Sequence, residues 1–295
     1  MRAIVTGGAG FIGSHLVDAL LERGDDVHVV DDLSTGRREN VAEAELHELD
    51  VRSSLVELFE DVRPEICFHL AAQADVVTSV DRPAFDAAVN VVGTVRVLEA
   101  AECRVIFSST GGAIYGECER PAREDDPRRP VSPYGTAKLA GEEYLATWNR
   151  LSAGEHVACR LGNVYGPRQQ PMLEGGVVAI FLDRMRAGAE TEIFGDGEQT
   201  RDFVYVGDVV EALLAAAGSS AAGVYNVGTG AETSVLELHR LCAVTAGAGD
   251  EPRFAAERPG DIRRSVLDPG LAQRELGWRA KTALAEGLAL TWAAG

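Results

Sequence analysis

Between an apolar segment, Ala3-Ile4-Val5-Thr6, and a helical pattern over Phe11–Arg23, the chain reads Gly7-Gly8-Ala9-Gly10-Phe11-Ile12-Gly13. No other stretch constrains the fold as strongly. Phosphates reach the free N–H groups at a helix N-terminus only where no Cβ intervenes. The last glycine of such a triplet lets helix and strand pack closely. A second apolar segment, Val27–Val30, ends on Asp31, 18 residues after Gly13. A carboxylate there accepts from the hydroxyls of an adenine-bearing ribose and repels a 2′-phosphate. Glycines alone would fit a plain tight turn. Strand, triplet, helix and acid together predict a dinucleotide site that prefers NAD, with Arg37 and Arg38 leaving NADP open.

The same rhythm runs on. Leu46–Leu49, Ile66–Leu70 and Val105–Ser108 have the composition of strands, and Leu55–Phe59 and Phe85–Ala101 that of helices. Strands alternating with helices imply parallel βαβ units. Apolar runs with little alternation fit strands buried on both faces. The fold class expected is therefore α/β, a Rossmann-type doubly wound parallel sheet. A loop with four prolines, Glu117–Pro133, leads to a long helix over Gly135–Leu151 and a sixth strand, His156–Leu161. After Gly166-Pro167 strands shorten (Glu192–Phe194, Phe203–Val206, Val224–Val227), with helices at Val177–Arg186, Asp208–Ala217 and Val235–Ala246. A nucleotide-binding domain over 1–164 is expected, with 203–228 returning to it. A smaller substrate-binding α/β region is expected over 165–295.

Composition excludes several classes. With 28 Lys+Arg against 46 Asp+Glu the net charge is −18. Such a chain lacks the positive field on which nucleic-acid affinity rests. No apolar run approaches the ~18 residues of a membrane span. Five scattered cysteines without a CxxC and a start lacking a signal-peptide pattern predict a reduced, cytoplasmic protein. Six histidines without HExxH spacing give no expectation of a metal.

Only two lysines occur, Lys138 and Lys281. The first lies in Ser132-Pro133-Tyr134-Gly135-Thr136-Ala137-Lys138, at the opening of the long helix. Residues four apart share a helix face, so Tyr134 and Lys138 project together. A phenol with its usual pKa near ~10 is a poor base at neutral pH. A neighbouring ammonium, and a cationic nicotinamide ring, would favour its phenolate. The pair thus suggests a general base, where a lone YxxxK elsewhere would be a surface pair. Ser108-Ser109-Thr110-Gly111-Gly112 closes the fifth strand. Ligands sit at the carboxyl ends of strands in open parallel sheets. Hydroxyls there either donate to a sugar oxygen or merely cap the strand.

These segments, with His69–Gln73 (HLAAQ), Phe107–Gly116, Arg201–Asp208 (RDFVYVGD), Arg258–Asp261 (RPGD) and Glu275–Trp278 (ELGW), resemble the extended short-chain dehydrogenase/reductases, specifically the UDP-glucose (UDP-galactose) 4-epimerase group. The resemblance runs the full length. It implies Tyr134 as base, Lys138 as its helper on the nicotinamide ribose, and Thr110 as the hydrogen-bond partner of the sugar 4-hydroxyl. It implies NAD contacts at Gly7, Gly10, Phe11, Ile12 and Gly13, at Asp31 and the Asp32-Leu33-Ser34-Thr35-Gly36 loop, at Asp50-Val51, at Leu70-Ala71-Ala72-Gln73, and at Asn90, Ser108 and Leu161. Implied for the UDP-sugar are Gly111, Asn163, Val177, Glu192-Ile193-Phe194, Arg201, Arg258, Asp261 and Ser265. The implied reaction oxidises C4, turns the 4-ketose over and returns hydride to its other face.

Nucleotide-sugar 4,6-dehydratases carry an Asp-Glu pair straight after the catalytic Thr, where this chain has Gly111-Gly112. UDP-glucuronate epimerases usually carry Thr and aromatic residues in place of Leu161-Gly162-Asn163. Both departures favour a UDP-hexose. Ser265 matches a position that limits the sugar's 2-substituent, and its small side chain predicts acceptance of UDP-GlcNAc/UDP-GalNAc alongside UDP-Glc/UDP-Gal. Other nucleotide-sugar epimerases, dehydratases or reductases, and a non-catalytic NAD-binding regulator, stay open. The resemblance also implies a homodimer through the helices near Phe85–Ala101 and Tyr134–Leu151.

Overall fold

The computed structural model describes residues 1–152, 154–171, 176–257 and 262–295. Its strands in chain order are β1 (Arg2–Thr6), β2 (Asp26–Asp31), β3 (Glu45–Glu48), β4 (Ile66–His69), β5 (Arg104–Thr110), β6 (Val157–Leu161) and β7 (Asn163–Tyr165). Then come β8 (Glu192–Phe194), β9 (Thr200–Arg201), β10 (Phe203–Tyr205), β11 (Gly223–Val227), β12 (Thr233–Ser234), β13 (Arg253–Ala255) and β14 (Arg264–Ser265). Seven form one all-parallel sheet in the order β11-β6-β5-β4-β1-β2-β3. This is the expected doubly wound α/β fold.

Alternation along each strand feeds two apolar layers. Val5, Phe68 and Ile106 face the Phe11–Glu22 and Val206–Gly218 helices, packing on Leu16, Leu20, Val209 and Leu213. Ile4, Cys67 and Phe107 face the opposite layer, packing among Phe59, Val97 and Leu145. Both faces are dry, so the strands read as apolar runs. The winding reverses between β1 and β4, which places a switch point at their carboxyl ends. Gly7 sits there with φ +70°, and a Cβ on it would meet Ala71 N at 2.6 Å. A smaller core (Phe181, Ile193, Phe203, Leu238, Leu288) gathers the Val177–Arg186, Val235–Ala246 and Leu284–Ala293 helices beside this end of the sheet.

Several expected elements change. Phe85–Ala101 is not a uniform helix: α-helical Pro83–Ala87 and Gly93–Ala100 flank a π turn over Ala88–Val92. Inserted π turns cluster at functional sites, and this one buries Asn90. A Val76–Asp81 helix, capped by the Asp75 side chain, was not expected. The segment 203–228 splits: β11 joins the main sheet at its edge, while β10 pairs in parallel with β7 outside it. Helices Gly270–Glu275 and Leu284–Ala293 also escaped the periodicity reading.

Candidate active site

Two cavities meet above the switch point. The inner one, about 680 Å³, runs from the glycine turn past the ends of β1, β2, β4 and β5. The outer one, about 940 Å³, lies between the sheet and the smaller core. Thr110 and Tyr134 belong to the walls of both, with Ala74, Gly162, Val164 and Gln169.

The inner wall starts at the first helix. Gly10 precedes it in an extended conformation, and no acidic residue lies in its first turn to repel an anion. A Cβ on Gly13 would stand 2.1 Å from Gly7 O, so a larger side chain would push helix and turn apart. Asp31 is buried at the far end. Its Oδ2 accepts from Ala9 N and its Oδ1 from Leu33 N, both at 2.9 Å. Burial raises its pKa against those two bonds, and each oxygen keeps a lone pair for a ribose hydroxyl. Arg38 pairs with Glu48 at 2.5 Å, both side chains more than half exposed.

Most residues expected to touch the dinucleotide line this cavity: Gly7, Gly10, Phe11, Ile12, Gly13, Asp31, Asp32, Ser34, Thr35, Asp50, Val51, Leu70–Gln73, Ser108, Tyr134, Lys138 and Leu161. Three of the residues expected to touch it, Leu33, Gly36 and Asn90, are not among those that line this cavity. Leu33 supplies its N–H to Asp31 from a left-handed conformation, φ 56°. Gly36 packs on the same carboxylate, with no room for a Cβ (2.8 Å to Asp31 Oδ1). Asn90 is buried in the π turn, where its side chain bridges the Gln73 backbone, accepting from N at 3.0 Å and donating to O at 2.9 Å. It shapes the Leu70–Asp75 loop from below.

Lys138 and Tyr134 share a face of the Pro133–Ser152 helix, as four-residue spacing requires. The contact between them differs from the expected one. Lys138 Nζ donates to Ser108 O at 2.8 Å and stands 6.0 Å from the Tyr134 ring centre. Burial lowers the Lys138 pKa to about 8, against the opposing carboxylates of Asp86 and Glu142. Tyr134 is pushed above its ordinary value by burial and by the Asp86 charge, while a hydrogen bond with Thr110 pulls it back. Protein groups alone therefore keep the phenol protonated. Asp86 went unnoticed in the sequence. It is buried, and its Oδ1 accepts from Gln73 Nε2 at 2.9 Å and Asn90 Nδ2 at 3.0 Å. The neighbouring His69 is structural. It bridges Thr6 (2.7 Å) and Thr94 (3.1 Å), and burial takes its pKa to about 3.

Of the residues expected around a UDP-sugar, Thr110, Tyr134, Asn163, Val177, Glu192, Ile193, Phe194 and Arg201 line the outer cavity. Gly111 and Ser265 are not among the residues that line it. Gly111 is packed against Leu267, with 2.5 Å left for a Cβ. Ser265 is buried on β14, in register with Arg201 of β9. Arg258 and Asp261 lie outside the described residues. Two cations that sequence reasoning missed complete the wall, Arg184 and Arg253, the latter paired with Glu192. Arg253 lies on β13, which pairs with β8 and gave no recognisable strand pattern. The acids of Arg201–Asp208 serve the scaffold. Asp202 binds Thr229, Gly230 and Leu267, and Asp208 binds the N–H groups of Lys281 and Thr282.

Known proteins match this arrangement along the whole chain. A UDP-glucose 4-epimerase of Mycolicibacterium smegmatis is 50% identical over 304 aligned residues, covering 99% of this chain and 97% of that protein. A crystal structure of UDP-glucose 4-epimerase with UDP-glucose from Thermotoga maritima superposes with a TM-score of 0.97 at 47% identity, covering 100% and 98% of the two chains. The Thermus thermophilus UDP-glucose 4-epimerase complex with NAD gives 0.94 at 44% identity, again covering 100% and 98%. The family model for NAD dependent epimerases/dehydratases matches residues 3–228, and with relatives this similar over its full length the chain belongs to that family.

Proposed function

We propose that this protein interconverts UDP-glucose and UDP-galactose by reversible oxidation at C4 with NAD. The observation that carries the reading is the position of Thr110 and Tyr134 on the one wall common to both cavities. The inner cavity suits a dinucleotide. There the N–H groups of Phe11 and Ile12 would hold the pyrophosphate and Asp31 the adenosine ribose, while Asp50 and Val51 would flank the adenine. When bound, an oxidised nicotinamide supplies reversible hydride acceptance and a positive ring charge that lowers the Tyr134 pKa. Lys138, fixed by Ser108 O, would hold the nicotinamide ribose. Tyr134 takes the proton of the 4-hydroxyl, and Thr110 orients that oxygen. Arg201 holds the diphosphate in the outer cavity while the 4-ketose turns over. Gly112 leaves room there, with a virtual Cβ no nearer than 3.6 Å to Asn163 Oδ1. Tyr134 then gives its proton back to the C4 oxygen, and hydride would return from the reduced nicotinamide to the opposite face of C4.

Gly111 and Gly112 place no carboxylate after Thr110, which favours epimerisation over dehydration. The test is incubation with UDP-glucose and NAD, followed by sugar analysis. Galactose without net NADH supports the proposal. A stable 4-keto sugar, or no turnover, refutes it. The protein acts as a cytoplasmic homodimer in this reading. Exposed Val92 and Tyr144 on the helices expected to pair support the association, and solution mass checks it. Among the described residues no helix is long and apolar enough to cross a membrane.

The small residue at 265 bears on the sugar. Ser265 is only 4% exposed and lies in register with Arg201, which lines the outer cavity, so a tyrosine there cannot fit the same slot without displacing its neighbours. Ser265→Tyr is expected to lower the ratio of UDP-GlcNAc to UDP-glucose turnover by about 10-fold or more, the scale of a steric pocket effect. An unchanged ratio removes Ser265 from the specificity argument.

A further inference from the structure

At the open edge of the sheet, polar side chains collect on one face. The parallel register of β2 and β3 sets His28 opposite Glu45 and Val30 opposite His47. Residues two apart on a strand share a face, so Asp26 and His28 project beside Glu45 and His47. The two imidazoles are stacked, with ring centres 5.4 Å apart and planes 16° from parallel. His28 Nδ1 lies 3.1 Å from His47 Nε2. Glu45 Oε2 is 3.6 Å from His28 Nδ1, and Glu45 Oε1 is 3.7 Å from His47 Nε2. The histidine side chains are 11% and 20% exposed and the carboxylate 65%, so the group opens to solvent on one side only.

We infer that His28, Glu45 and His47 form a binding site for a divalent transition-metal ion of the zinc type. The distances carry the inference. One ligand atom from each of the three residues lies within 4.8 Å of the other two, so small side-chain rotations bring two ring nitrogens and a carboxylate oxygen to the ~2 Å of zinc–imidazole and zinc–carboxylate bonds. Two imidazoles and one carboxylate suit zinc, cobalt, nickel or copper, whereas calcium and magnesium ask for oxygen throughout. The remaining ring nitrogen of His28, Nε2, faces Asp26 Oδ1 at 3.5 Å. Asp26 is anchored in turn by Arg2 Nε at 2.9 Å. A carboxylate behind a ligating imidazole is what orients it and raises its basicity. A neutral His–His hydrogen bond would explain the 3.1 Å contact, but not why a carboxylate reaches both nitrogens of it. The site is remote from HExxH-like spacing because its ligands come from two strands, 17 residues apart at the paired positions. Occupied, it staples the short edge strand β3 to β2. It is independent of the proposed epimerase chemistry.

Untagged, chelator-treated protein titrated with zinc chloride at neutral pH is expected to bind one equivalent, and its melting temperature is expected to rise in zinc relative to EDTA. Cobalt(II) in place of zinc should give visible d–d bands without the thiolate charge-transfer bands that ligation by Cys103 or Cys118 would produce. His47→Gln is expected to weaken binding by at least ~10-fold and abolish the thermal shift. Glu45→Gln, at an exposed position that folding does not depend on, is expected to weaken it similarly. Absence of zinc binding at high micromolar concentration, thiolate bands, or unchanged affinity in both variants overturns the site.

Discussion

Tyr134→Phe is expected to reduce kcat for UDP-glucose/UDP-galactose interconversion by about 10²- to 10⁴-fold, the range general acid–base groups supply. The substitution removes one oxygen and no carbon. The aromatic ring stays on the Pro133–Ser152 helix, so NAD content and thermal stability should remain near wild type. What disappears is the hydroxyl that shares a hydrogen bond with Thr110, on a residue that lines both cavities. The electrostatics add a second readout. Burial and Asp86 hold the Tyr134 phenol above its ordinary pKa, and Asp86 simultaneously supports the charge on Lys138, whose pKa burial lowers to about 8. The lysine is thus charged below about 8 and loses its proton as pH rises through that value. Asp86→Asn is expected to lower both pKa values and move the pH–rate profile toward lower pH, a shift that a purely structural role would not produce. A fully active Tyr134→Phe enzyme, measured with saturating UDP-glucose and sugar analysis, would sink the assignment of the base.

Legibility in the sequence followed the range of each interaction. The glycine turn, Asp31 and the Tyr134–Lys138 pair sit within single strand–helix units, so their spacing already fixed their faces. Spacing did not fix distance: Lys138 turns its ammonium to Ser108 O and leaves Tyr134 to be lowered by another charge. Asn90 illustrates a second limit. Helical periodicity could place it on a helix, but the π turn that aims it at Gln73 depends on a loop 17 residues away. Arg253 and the His28–His47 pair were missed because they are products of pairings between distant segments. Arg253 reaches the outer cavity only because β13 pairs with β8, and His28 meets His47 only through the β2–β3 register. Gly111 shows the converse. Its place after Thr110 suggested substrate contact, whereas Leu267, over 150 positions later, occupies the space beside it.

Arg160→Met is expected to destabilise the protein by about 3–5 kcal/mol, the usual consequence of leaving a buried charge without its partner. Arg160 of β6 and Glu142 of the Pro133–Ser152 helix are 1% and 2% exposed and form a forked pair, with the shortest contact 2.6 Å. The guanidinium also donates to Tyr115 Oη at 2.6 Å and to Glu124 O at 3.2 Å, and Ser109 Oγ donates to Glu142 Oε1 at 2.5 Å. Removing the arginine strips Glu142 of every bond but the one from Ser109. Taking out both charges is a different experiment. Buried ion pairs replaced by apolar residues of similar volume often lose little stability or gain some, so Glu142→Met/Arg160→Met should recover most of the loss. Urea unfolding of the wild type, both single variants and the double closes a cycle whose coupling energy should exceed about 1 kcal/mol, as for residues in one network. A single-variant loss below that figure would show that water or a side-chain shift compensates the carboxylate. The pair also reaches the chemistry, since Glu142 lies one turn beyond Lys138 on the same face and supports its charge. The double variant, though refolded to near wild-type stability, is therefore expected to lose activity at a lower pH than wild type as Lys138 gives up its proton sooner. Stability and alkaline activity should part company in that one protein, which separates what the buried pair does for the fold from what Glu142 does for the lysine.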